Sequence, residues 1–536
     1  MSDNRGHDYD HVTSFLGDCG CFQKTICVLL SMSAIPVGYM GVDSVFTSHT
    51  PEFRCKASGN STDSSSWGLP DSCSRYKTNA TQGPGVSNDT EPCLDGWDFS
   101  NDTQIYTIAT EWHLVCGDAW KVPFSTSVFF FGVLIGSLIC GDLSDRFGRK
   151  PVFFFTIALQ GITALVQASS VNWLMFCILN CLKGLGQTSS YASALTLGSE
   201  MLTRSTRVTF TMLGQTLGFG IGYALLPLFA YFIRGWRMLL VASAIPCFLF
   251  IPAWWMIPES PRWLLHHGRV DEAERIIHNA AKRNKVPVPE VIFADGDCLE
   301  LMQNKVDKKE DKRNYSYMDL LRTTDLRNIT IIGIFLWITL SMTYYGLSLS
   351  SSNLNGNIYL NCFFSAAIDI MTYVFTWLLV ERLPRPTLLF CTMMFSGVIL
   401  LTLNLIPEEN SVILQVLALV GKIGITCGFC SIFIFLSELM PTVVRSKGLG
   451  ITSSAGRTGA IISPYIIYLG VYSRILPFII FGVISIMAAV ASILLPDTRN
   501  KKLTDLISEV KPIRGFGCFR DRVARNPEGQ LDTKKT

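Results

Sequence analysis

The chain has 536 residues, 49% of them hydrophobic and only 16% charged, with a formal net charge of +3. So much contiguous apolar sequence excludes an ordinary soluble domain, and so slight a charge balance gives no ground for a nucleic-acid partner. A helix needs about 20 apolar residues to cross a hydrocarbon core of roughly 30 Å. Twelve runs come near that length: 24–46, 123–141, 152–170, 172–195, 208–232, 237–257, 329–350, 358–380, 387–406, 412–436, 448–470 and 474–495. The expected fold is an all-α membrane protein with twelve transmembrane helices.

Residues 1–23 form a polar N-terminal segment carrying Asp8, Asp10 and Asp18. The first apolar run begins only after it and is long enough to span, so it reads as a first helix rather than a cleaved signal. A large loop, 47–120, follows. It carries four Asn-x-Ser/Thr sequons, at Asn60, Asn79, Asn88 and Asn101, and four cysteines, Cys55, Cys73, Cys93 and Cys116. Clustered sequons point to glycosylation, and an even cysteine count outside the cell points to two disulfides, with three pairings open. Residues 24–257 make a first six-helix bundle, 258–328 a linker with amphipathic helices, 329–495 a second bundle and 496–536 a tail.

The second half echoes the first. Gly141-Asp142-Leu143-Ser144-Asp145-Arg146-Phe147-Gly148-Arg149-Lys150 is a charged turn between two apolar runs, and a reduced copy, Glu381-Arg382-Leu383-Pro384-Arg385, recurs with Glu381 236 residues after Asp145. Ser199-Glu200 with Arg207 reappears 238 residues on as Ser437-Glu438 with Arg445, and Pro258-Glu259 as Pro496-Asp497. Such ordered echoes indicate two pseudo-symmetric bundles, a transporter architecture. Lys and Arg gather in alternate loops (Arg146, Arg149, Lys150; Arg204, Arg207; 262–327; Arg382, Arg385; Arg445, Lys447), which places both termini in the cytoplasm. Mixed charge at helix ends suits a gate. Asp145, Arg146 and Arg149 with Glu200, and Glu381, Arg382 and Arg445 with Glu438, are its candidates, Glu200 and Glu438 being placed to meet Arg146 and Arg382.

Ionisable groups deep in a spanning helix are costly and default site candidates. Arg457, Asp369, Lys422 and Lys183 qualify. Arg457 lies about nine residues, roughly 14 Å, into the eleventh span. Its planar guanidinium suits a carboxylate, against the alternative of an internal pair with Asp369. Aromatic residues at similar depth (Tyr191, Tyr223, Trp337, Tyr344, Tyr345, Tyr373, Phe433, Phe435) suit an ammonium group. Trp337 and Tyr344 are seven apart and share a helix face, while Gln187 and Tyr191 are presented by the small-residue run Gly184 to Tyr191. The expected substrate contacts are Arg457, Gln187, Tyr191, Tyr223, Trp337, Tyr344, Asp369 and Phe433. No nucleophile–base set or metal-ligand spacing appears on either aqueous face, so neither an enzyme nor a metal site is expected.

Five stretches resemble the major facilitator superfamily and, within it, the organic cation/carnitine branch of solute carrier family 22. They are Tyr9 to Gly17, Thr110 to Cys116, Gly141 to Lys150, Pro258 to Leu264 and Glu438 to Arg445. The resemblance implies a uniporter or cation-coupled symporter of small organic ions, with alternating access. Ser454-Ala455-Gly456-Arg457-Thr458-Gly459 resembles the arginine-bearing version found in anion and zwitterion carriers, which makes Arg457 the implied carboxylate anchor. The chain departs from the carnitine carriers at Val37 and Ser190, where they have Asn, and at Phe433 and Phe435, where they have Tyr. The expectation is a plasma-membrane carrier of small organic cations and zwitterions, carnitine-like quaternary ammoniums foremost, with sodium as the co-transported ion and a cytoplasmic scaffold meeting the tail. An organic-anion exchanger, favoured by the surplus of Lys183, Lys422 and Arg457 over Asp369, and a non-transporting receptor or scaffold are the rivals.

Overall fold

The structure, a computed structural model, describes residues 14–17, 20–56, 72–76, 90–93, 96–100, 106–202, 204–287, 317–352, 356–380, 382–407 and 410–498. Among the described residues, twelve helices build the two bundles. The first, α1, runs from Cys21 to Thr47 in three pieces, Cys21–Met32, Ala34–Gly41 and Ser44–Thr47. Pro36 removes a backbone donor close to the first break. Helices α2 to α4 are Lys121–Phe147, Arg149–Ala168 and Trp173–Met201. Helix α5, Gln215–Phe232, continues a short helix Arg204–Thr209 through a π-helical turn Phe210–Gly214, and α6 is Trp236–Phe250. The second half holds α7 Thr324–Leu349, α8 Ile358–Val380, α9 Arg385–Thr402, α10 Ser411–Leu439, α11 Arg445–Tyr468 and α12 Leu476–Ile493.

Among the described residues ten helices are long and apolar enough to cross a membrane. The other two, α4 and α11, are long enough at 29 and 24 residues but too polar. Both carry the small and charged side chains of the protein's centre, which explains the deficit. Where a charged turn was expected at Gly141 to Lys150, helix α2 instead runs on to Phe147, and Gly148 alone makes the turn. It sits at φ 104°, a left-handed conformation costly for residues with a Cβ. The charges are thereby fixed on helical ends.

Helices pack closely where glycine permits it. Gly38 of α1 faces the carbonyl of Phe219, and Gly222 of α5 faces that of Ile35, so each removes a side chain from the same crossing. Several contacts between the bundles lie toward the face from which the 47–120 loop emerges. Ser127 of α2 donates to the Ile461 carbonyl of α11 at 2.8 Å. Phe130 lies 4.6 Å from Tyr345, and Phe46 stacks on Tyr359 at 5.6 Å. Midway, Tyr223 of α5 donates to Ser365 Oγ of α8 at 3.0 Å. The bundles are therefore closed against each other on the loop face.

On the opposite face the linker forms two helices, Pro261–His266 and Val270–Asn284. The second is amphipathic, burying Ala273, Ile277, Ala280 and Ala281. Trp263 Nε1 donates to the Asp145 carbonyl at 2.9 Å. Asn284 ties the linker to the start of the chain, donating to the Leu16 carbonyl at 3.1 Å and Gln23 Oε1 at 2.8 Å and accepting from Phe22 N at 2.9 Å. In the large loop, strand β1 (Phe53–Cys55) pairs antiparallel with β4 (Trp97–Phe99), and β2 (Ser74–Tyr76) with β3 (Thr90–Pro92). Disulfides Cys55–Cys93 and Cys73–Cys116 select one of the three open pairings. The four sequons Asn60, Asn79, Asn88 and Asn101, and the tail beyond 498, lie outside the described residues.

Candidate functional site

Arg457 is the thirteenth of the 24 residues of α11, which puts it at mid-helix and half-buried. Its guanidinium lies near the hydroxyls of Tyr345 on α7 and Tyr191 on α4. The charge thus lies between the bundles, flanked by a phenol from each. An aromatic wall continues along α7 and α10. Phe429 stacks on Tyr344 at 5.2 Å and takes Trp337 edge-on at 5.5 Å. Tyr373 of α8 meets the Tyr344 hydroxyl at 3.3 Å, and Cys430 lies near both Tyr191 and Tyr373.

The other deep charges are already matched. Lys422 Nζ lies 2.8 Å from Asp369 Oδ2, with the two side chains 1% and 0% exposed. Thr426 donates to the other carboxylate oxygen at 2.8 Å, and Tyr344 to Oδ2 at 3.1 Å. Lys422 also donates to Ser365 Oγ at 2.6 Å and stands over the rings of Tyr223 and Tyr344 at 4.8 and 5.3 Å. In the first bundle Lys183 pairs with Asp43 at 2.6 Å beside the Phe129 ring. Buried charges persist only when paired and hydrogen-bonded, and both pairs satisfy that demand. The expected surplus of three cations over one acid therefore shrinks to Arg457, which has no carboxylate partner among the described residues. The alternative pair with Asp369 does not form, because Lys422 has taken that acid.

Of the expected substrate contacts, Arg457, Tyr191, Trp337 and Tyr344 gather around this space. Three do not face it freely. Gln187 turns its amide to the Val37 carbonyl at 2.9 Å and so stitches α4 to α1. Tyr223 is fully buried as the clasp on Ser365, and Asp369 is sealed by three partners, Lys422, Thr426 and Tyr344. Phe433 shares the helix face of Thr426 and Cys430 but lies one turn toward the linker face, 53% exposed. Sequence reasoning missed Asp43, although it lies inside the first expected span, 24–46, and Phe429 and Cys430, which carry no charge to flag them. Tyr345 and Tyr373 were visible only as members of an aromatic set.

Of the residues expected to form a gate, Glu200 and Glu438 are paired on the linker face, each with a different arginine from the one expected. Glu200 binds Arg149, not Arg146, at 3.1 Å, and Arg149 also pairs with Asp145 on the preceding turn of chain. In the second half Glu438 binds Arg385, not Arg382, at 3.2 Å. Arg146 and Arg382 are exposed, since each sits on the outer side of its helix end, and Glu381 lies outside the described residues. The repeat holds elsewhere in which carbonyl each arginine meets. Arg207 donates to the Leu202 carbonyl at 3.1 Å and Arg445 to the Met440 carbonyl at 3.2 Å, five residues back in each case. Glu259 accepts backbone N–H bonds from Arg149 at 3.0 Å, Lys150 at 3.1 Å and Ser260 at 2.9 Å. Burial nevertheless holds its carboxyl above the usual range, against the pull of those bonds.

Twelve helices in two bundles among the described residues, a deep arginine between the bundles and paired charge clusters on one face define a membrane transporter with the major facilitator fold. Residues 53–509 match the family model for "Sugar (and other) transporter". The chain is 44% identical to the organic cation/carnitine transporter 2 of Homo sapiens, over 95% of both chains. It is 42% identical to solute carrier family 22 member 4 of Mus musculus, over 95% of this chain and 96% of that one. Among solved structures, the inward-open xylose transporter XylE of E. coli superposes with a TM-score of 0.62 at 16% identity, covering 91% of this chain and 100% of that one. The chain belongs to the sugar (and other) transporter family, as a member of solute carrier family 22.

Proposed function

We propose that this chain carries small organic cations and zwitterions, carnitine-like quaternary ammonium compounds foremost, across the plasma membrane by alternating access. One observation carries the reading: Arg457 stands at mid-helix without a carboxylate partner among the described residues, beside an aromatic wall, while every other deep cation is paired. A carboxylate-bearing ammonium compound is complementary to both features, its acid to the guanidinium and its cation to the ring faces. The names of the relatives, organic cation/carnitine transporters among them, support the same class. Placing the basic loops and linker in the cytoplasm puts the disulfide-bearing loop outside and makes the observed state inward-facing. A net-neutral zwitterion gains nothing from the membrane potential, so its accumulation calls for a co-moving cation, and sodium is the candidate.

The test is tracer uptake of carnitine, ergothioneine and tetraethylammonium, with and without sodium, by the wild type and Arg457→Ala. Losing a charge-assisted hydrogen bond costs about 1.5–3 kcal/mol, which is roughly 10- to 150-fold. That loss is expected for the two carboxylate-bearing compounds and not for tetraethylammonium. Equal losses for all three would sink the anchor role of Arg457. A dicarboxylate moving faster than carnitine would replace the zwitterion reading with that of an anion exchanger.

A further inference from the structure

We infer that Asp369 sets the charge class of the cargo: by neutralising Lys422 it leaves Arg457 as the one deep cation without a carboxylate partner among the described residues. This rests on the reading of Arg457 given above and extends it from one residue to the electrostatics of the whole site. Lys422 is a second cation beside the same aromatic wall. It stands over Tyr344, whose ring stacks on Phe429 and whose hydroxyl touches Asp369. Its charge is cancelled locally, by a carboxylate 2.8 Å away whose remaining oxygen is held by Thr426. The cancellation is built rather than incidental, because Asp369 is fully buried and takes bonds from Tyr344 of α7 and Thr426 of α10 as well as from the lysine.

The two halves make the point independently. Lys183 and Lys422 occupy corresponding depths of α4 and α10, 239 residues apart. Their acids come from helices that do not correspond in the repeat, Asp43 from α1 and Asp369 from α8. What recurs is therefore the neutral outcome, not the contact. With both lysines silenced the site offers a single positive charge, which matches a monocarboxylate and leaves the second charge of a dicarboxylate without a partner. A unit charge unmasked about 10 Å from a bound anion, at an effective permittivity of about 20, changes relative binding by about tenfold, so Lys422 need not touch the cargo to act.

Asp369→Asn keeps the shape of the side chain and removes only its charge. In cells expressing the full chain, with uptake normalised to surface protein, the succinate-to-carnitine uptake ratio should rise about tenfold and tetraethylammonium uptake should fall. The double variant Asp369→Asn/Lys422→Met removes both charges and should return the ratio toward that of the wild type. Lys422→Met alone leaves the acid unmasked and should shift selectivity the other way, toward tetraethylammonium over carnitine. That variant also carries the test if Asp369→Asn fails to reach the surface. A ratio unchanged in whichever single variant reaches the surface, or a shift that survives in the double variant, overturns the inference, since loss of packing alone would not reverse sign with charge. Wild-type cells that take up neither carnitine nor tetraethylammonium would instead overturn the proposed function.

Discussion

Lys183 and Asp43 form a 2.6 Å ion pair inside the first bundle, with side chains only 2% and 8% exposed. The pair joins α4 to the last turn of α1, next to the break that Val42 and Asp43 make in that helix. Removing one member of a buried pair leaves an uncompensated charge and costs about 3–5 kcal/mol, whereas replacing both by apolar residues is often neutral. Lys183→Met and Asp43→Asn should therefore each lower the thermal midpoint of the detergent-purified protein by several degrees. The double variant Lys183→Met/Asp43→Leu should recover most of the loss. A double variant as unstable as the worse single one would show that the pair does more than cancel charge.

The contact between Arg149 and Glu200 is a different kind of ion pair, only 13% and 18% exposed but at a helix end beside water. Its partners Asp145 and Glu259 bind the same turn, so the group holds α2, α3, α4 and the start of the linker as one body. Breaking it should impair the rocking of the bundles more than the binding of cargo. Arg149→Ala is expected to lower maximal uptake about tenfold, the order of one charge-assisted hydrogen bond, with half-saturation changed by less than about threefold. The exchange Arg149→Glu/Glu200→Arg should restore part of the rate. A rise in half-saturation at unchanged maximal rate would assign the pair to the substrate path instead.

How much of this was legible in the sequence follows from what each feature requires. The spans were readable because apolar length is a local property, and α8 falls at 358–380 as expected. The repeat was readable because Glu200 and Arg207 recur as Glu438 and Arg445 with the same spacing. Partner choice was not. Whether Glu200 meets Arg146 or Arg149 depends on where helix α2 stops, and Gly148 extends it almost two turns past the expected end. Nor could the sequence assign Asp369 to Lys422 rather than Arg457, since all three sit at mid-helix and only the rotation of α8, α10 and α11 decides between them.

The crossing of α1 and α5 gives a packing prediction. A Cβ on Gly222 would fall inside van der Waals distance of the Ile35 carbonyl, and one on Gly38 would meet the Phe219 carbonyl. Backbone cannot yield as a side chain tip can. Gly222→Val should force the helices apart, cost at least about 1–3 kcal/mol, and reduce surface expression and thermal midpoint together. Gly141→Val, where nothing lies within 4 Å, is the matched control and should leave both unchanged. Equal effects at the two positions would remove the close crossing as the cause.

Glu259 gives a prediction in pH. Its carboxylate closes the N-terminal end of α3 by accepting from the backbone of Arg149 and Lys150, groups that have no partner within the helix. Burial still outweighs those bonds and raises its pKa above the ordinary value. A raised pKa means that the folded protein binds this proton more tightly than the unfolded chain does. The contribution to stability is then fully present below the unfolded pKa and is lost as pH rises through the folded one. Glu259→Gln removes the titrating group and keeps an acceptor oxygen at the same place. The thermal midpoint of the wild type relative to this variant should be highest at and below the ordinary carboxylate pKa of about 4.3 and fall as pH rises above it. A difference that instead grows with pH would mean that the backbone N–H bonds win and the carboxylate is held below its ordinary pKa.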